Sequence, residues 1–181
     1  MNGVKLLQMK SIINYRKKID KMKTLLVYYS YTGNTKIIVD IIKEKMDCDV
    51  LELKPKVPFL IEDYDAIVNE YQSNESTKKC VEIEDINVDL KDYDKIIIGT
   101  PVWWYTITPV IREFIKNNDL SKKQVYAFAT NAGWLGRTFK EIESYCNVEN
   151  ELNIQFTEDW KEHKYLNSEN EINEWINSIK E

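Results

Sequence analysis

The stretch from Thr24 to Met46 constrains the fold more than any other part of the chain. Thr24-Leu25-Leu26-Val27-Tyr28-Tyr29 is an apolar run of strand formers. It stops at Ser30-Tyr31-Thr32-Gly33-Asn34-Thr35, a cluster of hydroxyls, an amide and one glycine. A helical pattern of Ile37, Ile38, Val39, Ile41, Ile42 and Met46 then begins at once. The order predicted is strand, tight polar turn, helix. At such a turn, free backbone N–H groups and the positive end of the helix dipole meet, which suits an anion. Ser30, Thr32 and Thr35 add hydroxyl donors and Asn34 adds an amide. No Lys or Arg lies in the turn, which fits a phosphate that is held in place rather than transferred.

The same alternation continues downstream. Asp49–Leu53 alternates and ends at Pro55, as a second strand would. Tyr64–Tyr71 reads as a helix, and Lys95–Gly99 as a strand buried on both faces. Thr108 is placed to cap a helix with Pro109 at its first position and Val110, Ile111, Phe114 and Ile115 as its buried stripe. Gln124–Ala129 is another buried strand, followed by Thr130–Gly136 and a helix through Phe139, Ile142 and Tyr145. Leu152–Phe156 alternates, as expected at a sheet edge. Ser168 and Glu171 form a capping box ahead of Ile172, Trp175, Ile176 and Ile179. Five strands alternating with helices predict an α/β domain whose parallel sheet is covered on both faces. The connection from 57 to 94 is the least regular part. From Gln72 to Asp94 it is mostly polar, with one apolar pattern at Val81, Ile83 and Ile86, and the sequence assigns it no role.

The 181 residues carry a net charge of -5, unevenly spread. Residues 1–23 hold seven of the 25 Lys and Arg and a single acid, Asp20, for a net +6, which leaves -11 on the remainder. An acidic body argues against nucleic acid and favours partners with basic surfaces. Val4, Leu6, Leu7, Met9, Ile12 and Ile13 could form the apolar face of a basic amphipathic helix at a membrane surface. The plainer expectation is that 1–21 is a dispensable extension before a domain at 22–181, because Met22-Lys23 stands directly before the first strand. Lys5 and Lys10 interrupt any apolar core of a secretory signal, and no apolar run approaches a membrane span. Cys48, Cys80 and Cys146 lack the spacing of a disulfide framework or zinc site, so free thiols in a reducing, cytoplasmic compartment are expected. His163, the single histidine, lies in a polar stretch and reads as a solvated surface residue. With no partner for it in a GxSxG or HExxH motif, hydrolase chemistry is disfavoured.

In a doubly wound sheet, ligands bind outside the carboxyl ends of the strands. Three segments leave such ends: Ser30–Thr35, Thr100-Pro101-Val102-Trp103-Trp104-Tyr105, and Thr130-Asn131-Ala132-Gly133-Trp134-Leu135-Gly136. One suits an anion. The second carries three consecutive aromatics beyond a strand end, where a core role is less expected than contact with a flat ligand. The third has two glycines, Gly133 and Gly136, that let a backbone approach a ring edge. The ligand implied is a phosphate joined to a planar ring system.

These segments resemble a known family. Val27–Thr35 is similar to the phosphate loop of the flavodoxins, and Ile98-Gly99-Thr100-Pro101-Val102-Trp103-Trp104 to the second flavin loop of their short, single-domain branch. Phe128-Ala129-Thr130 through Gly136 stands in the place of the third. The resemblance covers residues 24 to about 180. It implies FMN as cofactor and a five-stranded parallel sheet of order 2-1-3-4-5. It also implies that Ser30, Thr32, Gly33, Asn34 and Thr35 bind the phosphate, with Tyr31 in the same loop. Pro101, Trp103, Trp104 and Tyr105 would border the ring, with Val102 among them, and Thr130, Asn131 and Gly133 would meet its ring or ribityl edge beside Ala132. No catalytic residue or metal ligand is implied. The expected function is transfer of one or two electrons between redox partners, by a monomer or weak dimer. An FMN-dependent NAD(P)H:quinone or nitro-compound reductase on the same fold is the alternative, and a domain that has lost FMN is a third possibility.

Overall fold

The computed structural model describes residues 22–181 except 74, 76 and 77. The proposed extension at 1–21 and its amphipathic face lie outside the described residues. The first strand, β1, spans Thr24–Tyr28 and is buried throughout. It feeds helix α1, Asn34–Lys45, with Lys43 and Lys45 in its last turn, where cations complement the helix dipole. Strand β2, Asp49–Glu52, helix α2, Tyr64–Tyr71, and strand β3, Lys95–Trp103, come next. A two-residue strand, β4, Thr106–Ile107, precedes helix α3, Pro109–Asn117, whose cap forms as predicted: the Thr108 hydroxyl accepts from the Ile111 N–H. Strand β5, Gln124–Asn131, helix α4, Thr138–Glu143, strand β6, Val148–Gln155, and helix α5, Glu169–Lys180, complete the chain.

The sheet order is β2-β1-β3-β5-β6 with all four pairings parallel, and β4 adds an antiparallel pair to the end of β3. With the short β4 set aside, this is the predicted doubly wound order. Successive residues of a strand face opposite sides of a sheet. Leu25, Val27, Ile96 and Ile98 accordingly face Val110, Ile111, Phe114, Phe139 and Ile142 of α3 and α4. Leu26, Tyr28, Ile97 and Phe128 face Ile38, Val39, Ile42, Ile172, Trp175 and Ile176 of α1 and α5. Two apolar layers on one sheet explain why the central strands read as continuous apolar runs.

Three boundaries differ from the sequence reading. β5 runs on to Asn131 rather than Ala129, so Thr130 and Asn131 are paired strand residues and not part of a loop. β6 starts at Val148 rather than Leu152. Its first half, Val148-Glu149-Asn150-Glu151, is largely exposed at the sheet edge and is placed by backbone pairing with β5, which leaves no apolar signal. β3 runs on to Trp103 instead of ending at Gly99, so Pro101, Val102 and Trp103 belong to a strand, not a loop.

The 57–94 connection also gains a structural role. The Lys56 N–H donates to the Glu82 carbonyl and the Glu84 N–H to the Lys54 carbonyl, at 2.9 and 2.8 Å, so 82–84 runs back beside the end of β2. Val81, Ile83, Ile86, Val88 and Leu90 pack against the α3/α4 layer. A buried guanidinium fastens the connection to the core. Arg112, 2 % exposed, donates to Lys79 O at 2.8 Å, to Ile107 O at 3.0 Å and to Glu141 Oε1 at 2.6 Å. The Thr106 hydroxyl donates to the other Glu141 oxygen. One ion pair therefore joins α3, α4, β4 and the long connection.

Candidate functional site

The chain moves outward from β1 to β2 and then returns across β1 to β3, so the strand order reverses between β1 and β3. The segments leaving their carboxyl ends diverge there and open a crevice. A cavity of about 590 Å³ occupies it, well within the range of small-molecule sites. Tyr31, Thr32 and Asn34 line one side, Pro101, Val102, Trp103 and Trp104 another, and Thr130, Asn131 and Ala132 a third. Two further walls were invisible in the sequence. Ile61, Tyr64 and Ile67 come from α2 and the turn before it, and Glu158 and Trp160 from the segment after β6.

The first turn of α1 has the geometry of a helix N-terminus open to an anion. Gly33 is the N-cap with φ 97°, a left-handed conformation that glycine adopts without strain, and it offers no side-chain cap. The Ser30 hydroxyl accepts from the Lys36 N–H at 3.3 Å, and among the described residues no side chain caps the N–H groups ahead of it. The Thr35 hydroxyl is spent internally, 2.8 Å from that of Thr130 in a buried contact that ties the first segment to the third. The Tyr31 hydroxyl donates to Leu60 O at 3.1 Å and ties the first segment to the α2 wall. Burial pushes the Tyr31 phenol up, assisted by the nearby Tyr64, Asp63 and Glu62, and burial does the same to Tyr29 and Tyr71.

The aromatic segment forms a hairpin. Val102 pairs with Ile107 and Trp103 with Thr106, leaving Trp104 and Tyr105 as a two-residue turn with φ 46° and 67°. Positive φ at both positions matches the twist of a tight hairpin, although neither residue type is one that normally supplies it. Trp103 is half-buried and acts as packing as well as wall. Its ring meets Phe59 at 5.1 Å, Tyr31 at 5.3 Å, Tyr71 at 6.1 Å and Tyr29 at 6.3 Å. Trp104 stacks on Tyr71 with ring planes 21° apart. Tyr105 does not line the cavity; it is exposed and rests on Trp134, ring centres 5.1 Å apart.

In the third segment, Asn131 shapes the backbone. Its Oδ1 accepts from the Gly133 N–H at 3.1 Å and its Nδ2 donates to Asn153 at 2.6 Å. Gly133 stands in open space, whereas Gly136, φ 62°, lies hard against Tyr105. The predicted set therefore converges on one crevice, but Ser30, Gly33, Thr35, Tyr105 and Gly133 stand behind or beside its lining. The sequence reading missed His163, whose Nδ1 is 2.7 Å from Asn34 Oδ1. It is exposed, as expected, but it lies on the anion turn. Among the described residues, no group of His, Cys, Asp and Glu side chains is gathered to hold a metal, and no helix is long and apolar enough to cross a membrane.

This arrangement defines a doubly wound α/β protein with an open crevice at its strand switch. The flavodoxin family model matches residues 23–179, and the chain belongs to that family. Among solved structures, a flavoprotein in complex with FMN from Lactobacillus acidophilus NCFM is 28 % identical, with a TM-score of 0.63 over 73 % of this chain and 93 % of that one. A protein of Bacteroides uniformis described as a flavoprotein is 24 % identical, with a TM-score of 0.69 over 86 % of this chain and 98 % of that one. No curated protein matches the sequence.

Proposed function

We propose that the crevice binds FMN and that the protein carries one or two electrons between redox partners. The observation that carries this reading is the cavity itself, with a helix N-terminus whose N-cap is a glycine at one end and aromatic side chains along the rest. The residues fit the cofactor. The first-turn N–H groups of α1 and the hydroxyls of Ser30 and Thr32 would hold the phosphate. Trp104, Tyr64 and Trp160 offer ring faces or edges, and the backbone of 131–133 offers N–H and C=O groups to a ring edge. When bound, the flavin supplies one- and two-electron redox chemistry that the side chains lack.

The protein's contribution is position and field. Trp103 and Trp104 exclude water from the ring site, and the Thr35–Thr130 contact fixes the spacing between phosphate turn and ring edge. Glu158 lines the cavity and Glu62 and Asp63 lie beside Tyr31. These carboxylates oppose added negative charge in the cavity, so the reduction potential of the bound cofactor should fall below that of free FMN. The same acidic rim would favour partners with basic docking surfaces.

The test has two stages. The purified protein, with and without added FMN, is examined by absorption spectroscopy, and a protein that stays colourless overturns the cofactor assignment. Anaerobic redox titration then reads the potential of the holoprotein; a second-electron potential no lower than that of free FMN refutes the field effect. Rapid steady-state oxidation of NADPH with a quinone acceptor would replace the carrier role by a reductase.

A further inference from the structure

The segment after β6 is a fastened strap. It leaves the sheet at Gln155 and returns beside itself, with Phe156 bridged to Tyr165. The Thr157 N–H donates to Lys164 O at 2.9 Å and the Leu166 N–H to Gln155 O at 2.7 Å. At the tip, Asp159 caps a short turn, Trp160–Glu162, and His163 follows with φ 51°. Left-handed backbone at a non-glycine residue costs energy and persists only where surrounding contacts impose it. Here the strap delivers Trp160 into the cavity and His163 onto the anion turn. The imidazole Nδ1 stands 2.7 Å from Asn34 Oδ1, and Cε1 lies 3.5 Å from where a Cβ on Gly33 would stand.

The chemistry of this contact sets the tautomer. A carbonyl oxygen only accepts, so Nδ1 must carry a proton and donate it to Asn34. Nε2 is then bare in the neutral ring and an N–H donor in the imidazolium. The anion turn has no Lys or Arg, and the nearest one along α1, Lys36, is paired with Asp40 at 2.7 Å. On the strap, Glu162 and Lys164 flank the histidine, the Asp159 carboxylate accepts from the Lys161 N–H, and the Lys161 ammonium lies over the Trp160 ring. A phosphate on the turn would thus meet helix N–H groups and hydroxyls, and among the described residues the imidazole is the ionisable side chain hydrogen-bonded to the turn's Asn34.

We propose that His163 is a phosphate ligand of the cofactor: when the phosphate arrives, the ring takes a proton from solvent at Nε2 and donates that N–H to a phosphate oxygen, while Nδ1–H stays on Asn34. The strap then serves as a clasp that closes on the phosphate at His163 and on the ring site at Trp160. This role presupposes the FMN reading, and the experiment separates the two. FMN and riboflavin, which differ by the phosphate, are titrated into apoprotein with flavin fluorescence as the readout. The wild type, His163→Asn and His163→Ala are compared at about pH 6.5 and about pH 8, a range in which an imidazole changes charge. Asparagine tolerates left-handed backbone, so it keeps the strap geometry if alanine does not.

Both variants should bind FMN about tenfold more weakly than wild type at the lower pH, the usual effect of losing one charge-assisted bond, and riboflavin within about twofold of wild type. Raising the pH should narrow the FMN gap between wild type and variants; titration of the phosphate itself is common to all three proteins and cancels. Unchanged FMN affinity in His163→Asn overturns the role. So does an equal loss for FMN and riboflavin, which would make the strap a shape element only, and so does a gap that ignores pH. A wild type that does not prefer FMN to riboflavin overturns the phosphate site and this role with it.

Discussion

Gly136→Ala tests how the crevice walls are held together. Gly136 has φ 62°, and a methyl group built on it would lie 2.3 Å from Tyr105 Cβ, 2.4 Å from Tyr105 O and 2.6 Å from Tyr105 Cα. Two of those three atoms are backbone, so a rotamer change at Tyr105 cannot relieve the overlap. The next residue closes the contact, with the Arg137 N–H donating to Tyr105 O at 2.7 Å. Alanine in left-handed backbone costs about 1–2 kcal/mol, and forcing a methyl into a packed contact costs about 1–3 kcal/mol. Together they predict a loss of about 2–5 kcal/mol, a large part of the roughly 5–15 kcal/mol that holds a domain folded. Urea unfolding of the apoprotein is the assay, and the midpoint should fall by about 1 M or more at unchanged slope. Gly133→Ala is the internal control. Nothing lies within 4 Å of its added methyl, so stability should stay within about 0.5 kcal/mol of wild type. If the 131–133 backbone lies against the flavin ring, that same variant should lose FMN affinity while keeping its stability. A Gly136→Ala protein as stable as Gly133→Ala would refute the close docking of the third segment on the hairpin turn.

Other perturbations probe separate parts. Arg112→Ala removes the partner of Glu141 and of two carbonyls; it should cost about 3–5 kcal/mol by denaturation, whereas Arg112→Met with Glu141→Leu should recover most of that. Thr32→Ala should weaken FMN binding by about tenfold and leave the redox midpoint close to wild type; the reverse pattern would remove the loop from its phosphate role. Burial pushes the Cys146 thiol up to about 11, and burial, then Glu52 and Asp40, push the Tyr28 phenol up to about 12. Both groups stay protonated when folded at pH values where the unfolded chain has released the proton. Their contribution is therefore complete below about pH 9 and lost as pH rises through about 11 to 12. A urea midpoint that holds or rises between pH 8 and about 10.5 would contradict this assignment.

What could be read from the sequence was what local periodicity and capping encode. The Thr24–Lys45 unit, the Thr108-Pro109 cap and the buried runs at 95–99 and 124–129 are decided by neighbours within a few residues. The hairpin turn at Trp104-Tyr105 carries no turn chemistry of its own. Its left-handed backbone is imposed by β4 pairing and by Gly136, 31 positions after Tyr105. Helix α2 was legible as a helix, yet its position beside Trp103 depends on Phe59 and Tyr71 meeting that ring. His163 lies 129 residues from Asn34 in the chain, and a polar stretch holding one histidine gives no sign that the sheet edge delivers it to the first turn. The site residues that escaped were those positioned by topology rather than by local pattern.

The walls of the crevice are not equally fastened, and hydrogen exchange should rank them. β3 and β5 are joined by a parallel ladder from Lys95↔Gln124 to Pro101↔Thr130, and their amides open only when the sheet does. The strap is closed by backbone hydrogen bonds at its base. Helix α2 has eight residues, no side-chain cap and two buried residues, Ile67 and Tyr71. Its ties include ring contacts through Tyr71 and, just before it, Phe59, the bond from the Tyr31 hydroxyl to Leu60, and an exposed Glu70–Lys79 ion pair with the Lys79 ammonium over the Tyr71 ring. A segment with few buried contacts and no ladder opens with a free energy far below the global value. In the apoprotein, the α2 amides should therefore exchange faster than those of β3 and β5 by orders of magnitude. FMN contacting Tyr64 and Ile67 should slow the α2 amides more than it slows those of the strands, which already approach the global limit. Protection of α2 equal to that of β3 in the apoprotein would show that the ring contacts hold this wall as firmly as the sheet holds the others.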